Sequence, residues 1–252
     1  MMLSSVQVFF TAVIVMFSFT QASPLVSSIH SRDADAANDT LATASIKTFA
    51  YTKQAIINTL ALSNGTSTLP EPTGLSLKYA TIGRGVQNYT CVNSTAQAIP
   101  VAIGALAVLY DITAQVLLDP ANISSMVDTA ANMPASTFIL RNMPLDIPAV
   151  GTYPVIGEHF FQADATPTFD LFVVGKRAFC KLTTKINAPE TSSMGIDGTG
   201  SVAWLSLAAE APSVGIAQVY RVLTAGGNAP PTCAGQAANI SILYSAAYHF
   251  YA

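Results

Sequence analysis

The segment NISILYSAAYHFY, residues 239–251, alternates strictly enough to fix its conformation. Ile240, Ile242, Tyr244, Ala246, Tyr248 and Phe250 fall on one side, and Ser241, Ser245 and His249 on the other. A period of two belongs to a pleated strand. A strand of that length needs partners. Eight runs of similar character precede it: Leu75–Thr81, Gly85–Cys91, Val101–Asp111, Val155–Gln162, Thr168–Val174, Arg177–Thr183, Val202–Leu207 and Gly215–Leu223. About nine strands with turn signals between them predict an all-β fold, a sandwich or barrel. Gly83-Arg84-Gly85 reads as a turn that enters the second run. One short helix is inserted, with Asp119 as N-cap, Pro120 at the first helical position and then Ala121–Ala131. An N-terminal helix is predicted over Ser45–Leu60, where Ile46, Phe49, Ala50, Ile57 and Leu60 form a stripe. Met133–Thr152 is Pro-rich and reads as a long loop.

The start of the chain sets the compartment. The first 22 residues carry no charged side chain, Val8–Phe19 is apolar, and Thr20-Gln21-Ala22 offers a cleavage site. That is the pattern of a secretory signal peptide, too short for a membrane span. Residues 1–22 are therefore read as signal peptide, 23–44 as a flexible leader and 45–252 as a single β-rich domain. No later apolar run reaches membrane length, so no span is expected after cleavage. Six N-x-S/T acceptors agree with the secretory route: Asn38, Asn64, Asn88, Asn93, Asn122 and Asn239. Only 10% of residues are charged, against about 25% in ordinary domains. The net charge of -3 gives no basic footprint for nucleic acid. Three cysteines, Cys91, Cys180 and Cys233, allow one intrachain bridge and a leftover, and spacing leaves all three pairings open. No Cys/His cluster calls for a metal.

Cofactor motifs are missing. Gly83-Arg84-Gly85 lacks the third glycine of a dinucleotide loop, and Gly198-Thr199-Gly200 is followed by strand-like residues. Strands and helices do not alternate as a Rossmann domain requires. No phosphate loop and no G-x-S-x-G elbow is present. No cofactor is expected.

Four residues are candidates for a site. In GEHFFQADATPTFDL, residues 157–171, a hairpin closed by residues 163–167 places Gln162 opposite Thr168 and His159 opposite Leu171. His159 then shares a face with Phe161, Phe169 and Leu171, away from Asp170, and reads as a core histidine. Glu158 and Asp170 become diagonal neighbours about 7–8 Å apart. Paired carboxylates serve acid/base chemistry or hold a cation, but more commonly form a solvated face. Glu158, Asp170 and His159 are the catalytic candidates. Arg84, at a glycine turn, is the candidate for gripping an anionic ligand; the plainer role is an ion pair at a strand end. Trp204 and the strand aromatics serve either as a sugar-stacking platform or as core.

GRGVQNYTC (83–91), PVAIGALAVLYD (100–111), GEHFF and TPTFDL (157–171), VAWLSL (202–207), VYRVLTAGGNAPPTC (219–233) and YSAAYHFY (244–251) resemble blocks of a family of secreted fungal proteins of unknown function. Its members often carry a malate dehydrogenase label, which the missing cofactor fingerprint does not support. The resemblance implies an all-β secreted domain with no established activity. Cys91 and Cys233 match its blocks and Cys180 does not, so the resemblance implies a Cys91–Cys233 bridge. Two functions follow as expectations. The first is a secreted, glycosylated binding or surface protein, with a glycan or cell-wall component as partner. The second is a secreted hydrolase of glycans or esters working through the carboxylates.

Overall fold

The computed structural model describes residues 60–134 and 143–252. The expected signal peptide, the leader, Asn38 and all but the last residue of the N-terminal helix lie outside the described residues. Ten strands form: β1 (Leu77–Thr90), β2 (Val101–Asp111), β3 (Leu145–Ile147), β4 (Gly151–Tyr153), β5 (Val155–Phe161), β6 (Pro167–Leu171), β7 (Lys176–Ile186), β8 (Trp204–Val214), β9 (Gln218–Gly226) and β10 (Asn239–Tyr251). Eight of them close a barrel in the order β1-β10-β9-β8-β7-β6-β5-β2. Every neighbouring pair is antiparallel. Closure leaves the sheet without open ends. Between β2 and β5 the chain forms α1 (Thr113–Leu118), a 3-10 turn over Pro120–Asn122, α2 (Ile123–Asn132) and the β3–β4 hairpin.

Alternation sorts the side chains into two cores. Phe169, Leu171, Leu207, Val219, Tyr248 and Phe250 fill the barrel. Outside it, α2 lays Ile123, Met126, Val127 and Ala130 against Ile82 of β1 and Ala247 of β10. From Tyr244 onward β10 is therefore buried on both faces, apolar side chains within and Ser245 and His249 on the covered outer face.

Several expectations need correction. The Gly83-Arg84-Gly85 turn does not exist; both short runs are one strand, β1. Its glycines serve close approach instead. A Cβ on Gly83 would lie 2.4 Å from the Tyr248 ring, and one on Gly85 1.9 Å from the Leu106 carbonyl oxygen. Asp119 precedes the 3-10 turn but makes no side-chain cap bond, and the α-helix begins only at Ile123. The expected loop over Met133–Thr152 contains β3 and the start of β4. The β5–β6 hairpin pairs His159 with Phe169, not Leu171. Its loop is tighter than expected because the Gln162 N–H donates to the Thr166 carbonyl at 3.0 Å. The slip is by an even number of residues, so the faces stand as expected.

Candidate functional site

Arg84 sits mid-strand on the outer face of β1 and is 1% exposed. Its Nε donates to the Ala130 carbonyl at 2.6 Å, and its Nη2 donates to those of Met133 and Pro134 at 2.5 and 2.9 Å. The last carbonyls of a helix have no intrahelical donor and carry partial negative charge. Arg84 therefore caps the C-terminus of α2. Burial lowers its pKa, with the Tyr110 phenol acting the other way, and a guanidinium stays cationic regardless. At 1% exposure beneath the end of α2 it is no exposed anion grip.

His159 points into the barrel and is 3% exposed. Its Nδ1 donates to the Thr168 carbonyl at 2.9 Å, which fixes the neutral tautomer. The ring stacks on Phe169 with centroids 4.2 Å apart. Burial pushes its pKa down to about 4, the bond to Thr168 acting upward and the Arg221 charge downward. A neutral, packed imidazole is a core group here.

Glu158 lies directly opposite Asp170, and Asp170 directly opposite Arg177. Asp170 and Arg177 form an ion pair. The three charges thus make a row across the outer face of β5, β6 and β7. The barrel wall separates this row from His159, and Arg84 lies beneath α2. The four sequence candidates do not converge on one cleft.

The carboxylate row instead borders a surface feature. Asp170, Phe172, Lys176, Arg177 and Val214 line an open groove of about 510 Å³ with Phe179 and Pro212. A second groove of about 550 Å³ is lined by Gln162, Asp164, Thr166 and Glu210, again with Phe179 and Pro212. The two grooves have Phe179 and Pro212 in common, and this shared trough carries Lys176 and Arg177 with Asp170 in one groove and Asp164 and Glu210 in the other. Among the described residues no three His, Cys, Asp or Glu side chains are placed to hold a metal ion. No described helix is long and apolar enough to cross a membrane.

Cys91 and Cys233 form a disulfide. Cys180 is free and buried, and burial pushes its thiol up to about 12, far from the reactive thiolate range.

The family described as a protein of unknown function (DUF3455) matches residues 72–252. The chain belongs to that family. All eight barrel strands, the disulfide and the trough lie within the matched stretch of this DUF3455 member. No curated protein and no solved structure matches the chain. The sequence reading missed Phe172, Lys176, Arg177, Phe179 and Pro212. The β6–β7 hairpin, turning through Gly175 at φ 63°, carried a signal: drawn in register, it sets Arg177 beside Asp170.

Proposed function

We propose that this barrel is a secreted, N-glycosylated protein that acts by binding, with a glycan or cell-wall polysaccharide held in the trough on β6, β7 and β8. The observation that carries the reading is that Phe179 and Pro212 line both grooves, with Arg177 and Asp170 in one and Glu210 and Gln162 in the other. An apolar floor stacks on sugar rings while a polar rim bonds their hydroxyls. The disulfide supports an oxidising compartment.

Binding is read by co-sedimentation with insoluble chitin, β-glucan, mannan and cellulose. Phe179→Ala is expected to weaken retention on one of these by roughly tenfold, in line with the loss of one central aromatic contact. Equal retention of the variant and the parent chain on every polysaccharide would remove the trough from the proposal.

A second reading rests on one observation, the direct cross-strand pairing of Glu158 with Asp170. Two carboxylates in that relation are the raw material of glycoside hydrolysis. Release of reducing sugar or ester cleavage, abolished in an E158Q/D170N variant that still binds, would favour a hydrolase over a pure binder.

A further inference from the structure

Two of the acceptor sequences turn out to share one address. Asn88-Tyr89-Thr90 lies on β1 and Asn239-Ile240-Ser241 on β10, and the strands pair Asn88 with Ser241 and Thr90 with Asn239. Tyr89 turns inward, its hydroxyl donating to the Gly227 carbonyl at 2.6 Å, so Asn88 and Thr90 turn outward. The two acceptor asparagines are thus diagonal neighbours on one outer face, about 7–8 Å apart by sheet geometry.

The hydroxyls are also spoken for. The Ser241 Oγ donates to the Asn88 Oδ1 at 2.8 Å, and the Thr90 Oγ1 to the Ala238 carbonyl at 3.1 Å. Ser241 is the hydroxyl residue of the Asn239 acceptor sequence, yet its hydroxyl belongs to Asn88. The loop acceptors differ: Thr95 donates to its own Asn93 Oδ1 at 2.7 Å, and Thr66 to its own Asn64 Oδ1 at 3.1 Å.

We infer that Asn88 and Asn239 are mutually exclusive glycosylation sites, with Asn88 the one filled. This rests on the secreted-glycoprotein reading above. In the transfer, the acceptor Nδ2 bonds to the anomeric carbon of an oligosaccharyl diphosphate donor and gives up one proton to a base of the transferase. The anomeric C–O bond breaks and the diphosphate leaves with its electron pair. The acceptor's own hydroxyl must be free to approach its carboxamide. Chain order decides the winner. β1 is synthesised before β10, so Asn88 meets the transferase before Ser241 exists. When Asn239 follows, β1 is in place, the Ser241 hydroxyl is captured by Asn88, and a bulky sugar already stands over the same face. A sugar on the Asn88 Nδ2 leaves its Oδ1 able to accept from Ser241, so filling Asn88 preserves the strand pairing.

The disulfide makes the test direct, because Cys91 links the β1 peptide to the Cys233 peptide of β10. Trypsin cuts after Arg84, Arg141 and Arg221, and neither peptide 85–141 nor 222–252 contains an internal Lys or Arg. The full chain is secreted from a glycosylating host, both as it stands and with Asn93→Gln and Asn122→Gln to silence the other acceptors of the linked pair. A non-reduced digest then reports Asn88 and Asn239 from the same molecule. The expected result is one glycan per linked pair, on Asn88. Asn88→Ala, which removes both that acceptor and the carboxamide that holds the Ser241 hydroxyl, is expected to move the glycan to Asn239. Linked pairs with two glycans, or with Asn239 filled in place of Asn88, overturn the inference. So do bare pairs from a chain glycosylated elsewhere. A parent chain with no glycan at any position removes the secreted-glycoprotein reading itself, and the inference with it.

Discussion

His159 and His249 are buried on opposite faces of the sheet, one inside the barrel and one on its covered outer face, yet burial gives them the same property. Each imidazole is pushed from 6.5 down to about 4. His159 keeps one bond, to Thr168. His249 has no partner for either ring nitrogen among the described residues. Ala80 and Tyr220, its cross-strand neighbours, bring no counter-charge. In the folded chain both stay neutral where the unfolded chain binds protons. The unfolded state therefore gains protons between pH 6.5 and about 4, and stability falls as pH falls through that window. Each histidine contributes a loss on the order of 3 kcal/mol by the acid end. Denaturant midpoints, followed through the single tryptophan Trp204, which is 3% exposed, are expected to drop across this range. His249→Leu is expected to remove about half the slope, since one of the two groups is gone. A midpoint that stays flat from neutral pH to about pH 4 would mean that neither ring is held neutral by its surroundings.

β1 shows why some elements were legible and others were not. The bounds of β2 and β10 follow from the sequence because their signals, an apolar run in β2 and alternation in β10, are local. Gly83-Arg84-Gly85 misleads because glycine serves two purposes: it permits turns, and it permits close approach. The atoms that need the space, on Leu106 and Tyr248, come from other strands, so no window of sequence around Gly83 contains the reason. Arg84 misleads likewise, since the carbonyls it caps are 46 to 50 residues away. The carboxylate row was partly legible: the face was right and the register slipped, because the width of a hairpin depends on the turn that closes it. The trough was not legible, since Phe179, Pro212 and Gln162 come from three separate stretches. The second role of glycine is testable at Gly85, whose backbone is not in the left-handed region. Gly85→Ala costs only what the added methyl displaces, the β2 backbone at Leu106. A loss of about 3 kcal/mol is expected from such overpacking, read as a lowered urea midpoint. A variant as stable as the parent would show that β1 and β2 separate at little cost.

At the scale of the molecule, the barrel is closed by strands from opposite ends of the described chain, β1 against β10. The disulfide stands at one end of that seam, with Cys91 immediately after β1 and Cys233 shortly before β10. Backbone bonds flank it: the Cys91 N–H donates to the Ala238 carbonyl and the Cys233 N–H to that of Ala98, both at 2.8 Å. Bringing such distant segments together is the slow and entropically costly step of a fold of this kind. The bridge spans 142 residues, and closing a loop of that size in the unfolded chain corresponds to about 5 kcal/mol. Most of that effect lies in the unfolded state, so the folded barrel needs the bridge little for its shape. A Cys91→Ser, Cys233→Ser chain is expected to keep the far-ultraviolet dichroism and buried Trp204 emission of the parent while its denaturant midpoint falls by the equivalent of that loss. Refolding is expected to slow as well, because β10 must then find β1 without a tether. A double variant that loses its native spectra without denaturant would show that the seam at β1 and β10 is held by the bridge and not by its own ladder.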